Sequence, residues 1–250
     1  MKSAVLFAAG TGTRLQSAGP KCLSMVGGMS LLERYLRALS AVQIDKIFVV
    51  TGQQSTALEN AINSLIRDFP VETVRNSFCT KGALSSLYAA LEVVEGPALL
   101  MDADVLFPIE ALSRVVNRTG SAILMDTSHS SNGEEMMVGL DSGGLVREIS
   151  RHLSGTWSRS GEGLGIVLLD RAGVEHVRHV ARQLRERSDW HSLEWEVAVS
   201  LSAQDIAIAG VDVSSLPWIE IDFPEDLSVA RNLVPSVETL DFKYLQRRAL

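Results

Sequence analysis

Two glycines and an arginine follow the first apolar run of the sequence, residues 4–9. Gly10, Gly12 and Arg14 alternate with single residues there, and Lys21 comes a few residues later. Glycine tolerates the dihedrals of a tight turn and has no Cβ, so backbone N–H groups can face an anion at close range. Arg14 and Lys21 can then bracket a triphosphate. A plain structural turn is the alternative interpretation of the glycines alone.

Two better-known glycine loops do not fit this turn. A dinucleotide fingerprint requires a third glycine, but Arg14 and Leu15 stand in that region. It also requires an acidic residue at the end of a second strand, and none stands at the usual distance. The P-loop pattern, which ends in Gly-Lys-Ser/Thr, is absent. We therefore do not expect an NAD-dependent oxidoreductase.

Acidic residues follow two separate apolar runs. Asp102 and Asp104 come after residues 98–100, and Glu220 and Asp222 come after Trp218 and Ile219. Strand alternation puts Glu220 and Asp222 on the same side. Carboxylates at strand ends suit Mg²⁺, which prefers hard oxygen ligands. For Asp102 and Asp104 taken alone, a capping or turn role is the alternative.

The bulk composition limits the class of protein. The chain has 250 residues, of which 46% are hydrophobic and 21% charged, and one α/β domain of this length is common. The net charge of -7 disfavours a nucleic-acid partner, because such domains usually carry a basic stripe. Two cysteines, Cys22 and Cys79, cannot form a dense disulfide framework, and they lack the spacing of a zinc or redox motif. A reducing compartment, the cytoplasm, therefore fits best. No run reaches the roughly 20 apolar residues that span a bilayer, so no membrane partner is expected.

Apolar runs in the first half predict buried strands, because near-continuous hydrophobicity is typical of a parallel sheet covered on both faces. The amphipathic stretches between them have the length that right-handed crossovers need. Ligands bind beyond the carboxyl ends of the strands in such a doubly wound sheet. The predicted strands are 4–9, 47–51, 71–74 and 98–101, and the predicted helices are 31–39, 55–66 and 84–93.

The pattern changes after Asp104. A polar segment, 127–135, precedes two apolar runs around a glycine-containing turn, which predict an antiparallel flap laid on the sheet. We also predict a closing helix in the tail, 237–250, with a frayed end as the alternative. The other predicted elements are helices at 109–117, 171–187 and 193–201, strands at 121–126, 165–169, 206–211 and 218–221, and the flap strands 136–140 and 145–149.

The glycine turn and its surroundings resemble a known family. Ala8-Ala9-Gly10-x-Gly12-Thr13-Arg14-Leu15, followed by Pro20-Lys21 and a Gly-x-x-Leu-Leu-x-Arg helix, is similar to the signature of the nucleotidyltransferases. The resemblance implies a Rossmann-like, doubly wound, mixed but mostly parallel sheet with a small antiparallel flap, of the GT-A-like kind. It implies that Arg14 and Lys21 counter the triphosphate charge during catalysis. The loop residues expected to bind the nucleotide are Ala8, Ala9, Gly10, Gly12 and Thr13.

The same resemblance assigns the acids. The family has an Asp-x-Asp after its central strand and a later acid followed by Pro-Glu-Asp, matched here by Asp222-Phe223-Pro224-Glu225-Asp226. We assign Asp104 and Asp222 to Mg²⁺, with Glu220 as a helper, and Asp102 to a structural or ribose-facing position. One domain, 1–250, would then have a nucleotide half at about 1–126, an acceptor and metal half at about 127–235 and a C-terminal helix at 236–250.

Base recognition is expected between a strand and a helix, where this family grips the base. Asn76, Gly82, Ala83 and Ser85 are the candidates there: Gly82 permits close approach of a base, and Ser85 or Ser86 can bond its edge. A serine helix cap is an equal interpretation. The segment is most similar to that of cytidylyltransferases, so CTP is the expected nucleotide.

Acceptor residues are expected in the later half. Arg151 stands where the family has the lysine of an Ile-Ser-Lys strand, and Trp195 and Glu196 match a further acceptor-side segment. Aromatic faces beside carboxylates such as Glu162 would suit a cationic amine, and core packing is the alternative for each tryptophan.

The function implied is transfer of CMP from CTP to a small phosphonate or phosphate monoester, similar to 2-aminoethylphosphonate or phosphocholine, with release of pyrophosphate. The alternatives are a sugar-1-phosphate nucleotidyltransferase that uses UTP or another NTP, and a noncatalytic nucleotide-binding module. The sequence does not specify the oligomeric state, and a homodimer is one state that it allows.

Overall fold

The computed structural model describes residues 2–10, 12–15, 19–52, 55–78, 82–128 and 133–248. Within this part the chain forms seven helices, none of which is long and apolar enough to cross a bilayer. They are α1 (Leu31–Ala41), α2 (Thr56–Leu65), α3 (Leu84–Leu91), α4 (Ile109–Val116), α5 (Arg171–Arg185), α6 (Glu196–Ser202) and α7 (Pro224–Arg248).

The described residues also form thirteen strands, most of them short. They are β1 (Ser3–Phe7), β2 (Met25–Val26), β3 (Met29–Ser30), β4 (Lys46–Thr51), β5 (Val71–Arg75), β6 (Ala98–Asp102), β7 (Val105–Leu106), β8 (Ser121–Asp126), β9 (Met137–Leu140), β10 (Val146–Ser150), β11 (Arg159–Leu169), β12 (Ile208–Asp212) and β13 (Ile219–Glu220).

One mixed, mostly parallel sheet organises the molecule. Strands β5, β4, β1 and β6 lie side by side in parallel. Strand β11 then runs antiparallel to β6 and β8, and β8 pairs in parallel with β12. The predicted fold class is thus confirmed. We had predicted a flap that is laid on the sheet. Instead, the hairpin of β9 and β10 pairs with the first part of β11, so the flap continues the main sheet.

Both faces of the sheet are covered, which explains the continuous apolar runs. In β1, Ala4 and Leu6 face a core built with α1, α4 and α7. Val5 and Phe7 face the opposite core, built with α3, α5 and α6. A strand buried on both faces has no polar side to alternate with. The carboxyl ends of β1 and β6 therefore project their polar residues at one edge.

Three element boundaries differ from the prediction by more than two residues. Strand β11 begins at Arg159 instead of Gly165, because its polar first part pairs with β9. Helix α6 begins at Glu196, after a 3₁₀ turn at Trp190–Ser192. Helix α7 begins at Pro224 and continues through Pro235, whereas the predicted tail helix began beyond that proline.

Candidate active site

A cleft of about 490 Å³ opens at the carboxyl ends of the central strands. It brings together residues that are far apart in the chain. The sequence-predicted site residues that line it are Arg14, Lys21, Ala83, Asp102, Asp104, Arg151, Glu162, Trp195, Glu196, Glu220 and Asp222.

The centre of the cleft is a network of two cations and two aspartates. Lys21 lies in a 3₁₀ turn that follows Pro20. Its Nζ donates to Asp104 Oδ2 at 2.9 Å and also to Asp222 Oδ1. Arg14 Nη1 lies 3.2 Å from the other carboxylate oxygen of Asp222. Burial by itself lowers the pKa of Lys21, but the two aspartates outweigh burial and raise that pKa, so the amine stays charged.

A third acid completes a cluster that could hold a metal ion. One carboxylate oxygen each from Asp104, Glu220 and Asp222 lies within 4.8 Å of the others. The second oxygen of Asp104, Oδ1, is buried and has no hydrogen-bond partner among the described residues. Desolvation in the cleft, followed by the charges of Asp104 and Asp222, raises the pKa of Glu220 to about 8, although the residue keeps an exposed surface. A hard divalent cation would satisfy the free oxygen and offset the repulsion, so these residues fit Mg²⁺.

Short strands bring the acids of this cluster together. Glu220 in β13 pairs with Val105 of β7, and the N–H of Ile221 donates to the carbonyl of Asp104 at 2.9 Å. The hydroxyl of Tyr35 accepts from the N–H of Val105 at 3.0 Å. The two acidic segments are therefore joined through their backbones.

Two further side chains hold the segment around Asp222. Trp218 Nε1 donates to Asp126 Oδ2 at 2.8 Å, which connects the start of β13 to the end of β8. Asp226 Oδ2 accepts from the backbone N–H groups of Asp222 at 2.9 Å and of Phe223 at 2.7 Å. Both Trp218 and Asp226 also line the cleft.

The later-half wall of the cleft is strongly acidic. Glu134, Glu135, Glu162, Glu194 and Glu196 line it. Arg151 also lines it and lies 3.5 Å from Glu194.

Two of the acids in the cleft are shielded from water to different degrees. Glu196 is only 8% exposed, and burial raises its pKa to about 8. Asp102 is half-buried, and desolvation raises its pKa, helped by the charge of Glu196. Glu196 therefore keeps its proton at neutral pH, and the negative charge of this wall comes from the less buried acids.

Trp195 does not offer the open aromatic face that its position in the sequence predicted. Its side chain is 1% exposed and packs against Phe7 with ring centroids 5.2 Å apart. Its Nε1 donates to Asp102 Oδ1 at 3.0 Å. Trp195 thus packs in the core and positions Asp102. This contact fits the structural position that we had considered for Asp102.

The predicted base-binding side chains bond to one another. Asn76 is 1% exposed, and its Nδ2 donates to the hydroxyls of Ser85 and Ser86 at 2.9 and 3.0 Å. None of the three lines the described part of the cleft. Ser85 and Ser86 are 3% and 5% exposed and accept from Asn76, whereas we had expected one of them to face the edge of a base.

The glycine at position 82 leaves room for the backbone at Leu193, whereas we had expected it to leave room for a nucleotide base. Its φ is +61°, and a Cβ there would lie 2.4 Å from the carbonyl oxygen of Leu193. Beside it, the N–H of Ala83 donates to Glu194 Oε2 at 3.3 Å. The absence of a side chain at Gly82 therefore lets the backbone at Leu193 approach.

The glycine turn is described only in part. Ala8 and Ala9 are buried, Gly10 is exposed, and Gly12 has a φ of +64°. These four do not line the described part of the cleft. Thr11, the side chain of Thr13 and residues 79–81 lie outside the described residues, so the predicted contacts of this turn with a nucleotide stay a prediction.

Several cleft residues were missed at the sequence level. Glu134, Glu135 and Asp226 line the cleft but had no site role in the prediction. Their acidic character is a visible signal, but many exposed residues share it. The pairing of β7 with β13 and of β9 with β11 brings their segments to the cleft.

Residues 4–188 match the family described as the MobA-like NTP transferase domain. The chain belongs to this family. The resemblance noted in the glycine turn is therefore confirmed across most of the chain.

Curated relatives are longer than this chain. It is 30% identical over 237 residues to the bifunctional IPC transferase and DIPP synthase of Rubrobacter xylanophilus, which covers 92% of this chain and 51% of that protein. It is 34% identical over 119 residues to the bifunctional protein GlmU of a Synechococcus strain, covering 46% of this chain and 18% of that protein. The chain thus spans about half or less of the length of these relatives.

Solved structures share the fold at low sequence identity. The inositol-1-phosphate CTP transferase from T. maritima has a TM-score of 0.76 and 19% identity, covering 95% of this chain and 96% of that one. The CTP:phosphocholine cytidylyltransferase from Streptococcus pneumoniae has a TM-score of 0.73 and 20% identity, covering 93% and 99%. The sheet and its helices are therefore arranged as in these two enzymes.

Proposed function

We propose that this protein is a Mg²⁺-dependent cytidylyltransferase. It transfers CMP from CTP to a small phosphate or phosphonate acceptor that carries a cationic amine, and it releases pyrophosphate. The observation that supports this most is the meeting of Arg14 and Lys21 with Asp104, Glu220 and Asp222 in one cleft. Family membership makes nucleotidyl transfer the reaction class to test first.

The proposed reaction depends on charge compensation and alignment more than on a general base that removes a proton from the acceptor. A phosphate ester has a second pKa of about 6, so the acceptor oxygen is already ionised at neutral pH. Arg14 and Lys21 counter the charge that grows on the α-phosphate and the leaving pyrophosphate. A Mg²⁺ ion held by Asp104 and Asp222 would supply further charge neutralisation. Holding the acceptor oxygen in line with the α-phosphorus provides the rest of the acceleration.

CTP is the proposed nucleotide on the strength of similarity. Both structural neighbours described above are named as enzymes that use CTP. UDP-glucose pyrophosphorylase has a comparable TM-score of 0.73 at 15% identity, so the shared fold does not separate CTP from UTP. Transfer of UMP to a sugar 1-phosphate is accordingly the second candidate.

The acidic wall of the cleft favours a zwitterionic acceptor. Arg151 can meet a phosphate or phosphonate, while Glu162 can meet an ammonium group. A neutral polyol such as inositol would form no ion pair with this wall. Acceptors similar to 2-aminoethylphosphonate or phosphocholine match this charge pattern.

A pyrophosphate-release assay tests the proposal. CTP, UTP, ATP and GTP would each be combined with 2-aminoethylphosphonate, phosphocholine, inositol 1-phosphate and glucose 1-phosphate, with Mg²⁺ or with EDTA. We expect the highest kcat/KM with CTP and an amine-bearing acceptor, and no turnover in EDTA.

The other outcomes have distinct meanings. A preference for inositol 1-phosphate would refute the amine part of the proposal but leave cytidylyl transfer in place. A preference for UTP with glucose 1-phosphate would establish the second candidate. Tight binding of a nucleotide without turnover on any acceptor would indicate a noncatalytic module.

A further inference from the structure

The ammonium group of Lys21 lies where two of the three clustered acids meet. Lys21 Nζ is 2.9 Å from Asp104 Oδ2, and it also bonds Asp222 Oδ1. Asp104 and Asp222 are two of the three residues whose carboxylate oxygens lie within 4.8 Å of one another. The lysine therefore bonds the same pair of carboxylates that fits a divalent cation.

This contact is sheltered from solvent. The side chains of Lys21, Asp104 and Asp222 are 21%, 18% and 22% exposed. Charges in such a place are screened less than surface charges, so the ammonium and a divalent cation would repel each other strongly at this distance. Both cannot be bound by the same two carboxylates at once without a large penalty.

Lysine can leave this position when another anion is offered. Its ammonium is a compact charge on a flexible four-carbon stem. Arg14 bonds the outer oxygen of Asp222 from a side chain that is 58% exposed, which places a second cation beside Lys21 at the mouth of the cleft. A triphosphate that enters next to Arg14 would bring several anionic oxygens within reach of Lys21.

We propose that Lys21 is an internal counterion of Asp104 and Asp222, which opposes metal binding until a nucleotide triphosphate takes the ammonium away. The inference rests on the proposed function, since it assumes that the acids hold a metal and that the cleft holds a nucleotide. It adds an order to the binding events: the metal binds weakly alone and strongly together with the nucleotide. By linkage, the metal and the nucleotide then raise each other's affinity by the same factor.

Mn²⁺ binding measured without turnover tests this order. Mn²⁺ accepts the same oxygen ligands as Mg²⁺, and its free concentration can be followed by electron paramagnetic resonance. The full chain would be titrated with Mn²⁺, first alone and then with saturating CTP and no acceptor, the second against a titration of CTP without protein so that Mn²⁺ bound to free CTP is subtracted. The variants are Lys21→Met, which keeps the length of the side chain without its charge, and Lys21→Gln, in case the first does not fold.

The expected result is a change in affinity that depends on the nucleotide. Without CTP, Lys21→Met and Lys21→Gln should bind Mn²⁺ about tenfold more tightly than the wild type or better, because a nearby sheltered like charge is gone. With CTP this difference should disappear or reverse. The matched control is Lys46→Met, which removes a lysine paired with Glu72 at 2.9 Å in the edge region of the sheet and should leave Mn²⁺ affinity unchanged.

Three results would decide against the inference. Equal or weaker Mn²⁺ affinity in either folded Lys21 variant without CTP would overturn it, as would an equal gain in Lys46→Met. So would a wild type that binds Mn²⁺ equally well with and without CTP. A wild type that binds no Mn²⁺ even with CTP, and releases no pyrophosphate in the assay above, would instead refute the proposed function itself.

Discussion

The carboxylate of Asp222 has three roles in one position. It bonds Lys21 and Arg14, and it contributes an oxygen to the acidic cluster. We predict that Asp222→Asn lowers kcat by about two to three orders of magnitude, since loss of one preorganised charged group commonly costs that much. The side chain is partly exposed, so the melting temperature should change little.

Steady-state kinetics with saturating Mg²⁺, together with a thermal melt, would check this. The matched control is Glu225→Gln, an exposed acid three positions along the same segment. Wild-type turnover in a folded Asp222→Asn protein would remove Asp222 from the catalytic centre.

Glu196 gives the protein a pH-dependent stability. Burial raises its pKa from 4.5 to about 8, so the folded state keeps a proton that the unfolded state loses. The stabilisation is complete below the unfolded pKa and is lost as the pH rises through the folded pKa, at up to about 1.4 kcal/mol per pH unit. We predict that Glu196→Gln, which stays neutral, flattens the decline in the free energy of unfolding between about pH 5 and pH 8.

Urea denaturation of both proteins across that range would measure the slope. Glu186→Gln, at an exposed position at the end of α5, is the control and should follow the wild type. Parallel profiles for wild type and Glu196→Gln would show that the carboxyl is ionised in the folded protein.

Some residue roles could be predicted from the sequence and others could not. Lys21, Asp104 and Asp222 belong to local patterns next to strand ends, and the sheet brings such ends together. Gly82 is different, because its neighbour Leu193 comes from a distant part of the chain. Ser85 and Asn76 belong to one segment, but a local pattern does not show that their side chains turn inward and bond each other.

At the scale of elements, strand β13, which carries Glu220, has little support of its own. It is two residues long, and within the described residues it pairs only with β7. Trp218 immediately before it donates to Asp126, a 3% exposed residue at the end of β8. We predict that Trp218→Phe raises the Mg²⁺ concentration needed for half-maximal activity severalfold, while kcat at saturating Mg²⁺ falls less.

Phenylalanine keeps most of the ring packing but loses the hydrogen bond. The matched control is Trp157→Phe, which removes a similar bond, from Nε1 to Glu148 Oε2 at 3.1 Å, in the flap region. A Mg²⁺ requirement that rises equally in both variants, or in neither, would show that Trp218 does not position the acids.

Elements with a single dominant signal were predicted within one or two residues. Strands β4, β6 and β8 are mostly apolar and are buried along most of their length, and their bounds agree closely with the prediction. Strand β5 lies at the edge of the sheet, and its bounds also agree, but only Val71 is buried, so the prediction of a buried strand there was wrong. The first part of β11 has no such signal, since it contains arginine, serine, glycine and glutamate. It forms a strand because β9 and β8 supply hydrogen-bond partners, which no local pattern specifies.

At the scale of the whole molecule, the cleft lies where two parts of the chain join. The glycine turn, Lys21 and Asp104 come from the first half, and Glu196, Glu220 and Asp222 come from the second. Strand β11 joins them, because it pairs with β6 from the first half and with β9 from the second. The two cores on either face of the sheet also contain residues from both halves. A site assembled in this way requires the halves to be held rigidly together.

This architecture predicts that the chain unfolds as one cooperative unit, as the single-domain assignment requires. All four tryptophans, Trp157, Trp190, Trp195 and Trp218, lie in the second half, so their fluorescence reports on that half and on its contacts with the first, such as Trp195 against Phe7. Far-ultraviolet circular dichroism reports on helices and strands of both halves. Because β6 cannot keep its neighbour β11 once the second half unfolds, the two signals should give the same urea midpoint and slope. A fluorescence transition at a clearly lower urea concentration than the circular dichroism transition would mean that the first half survives alone, and the boundary near residue 126 would then separate two domains.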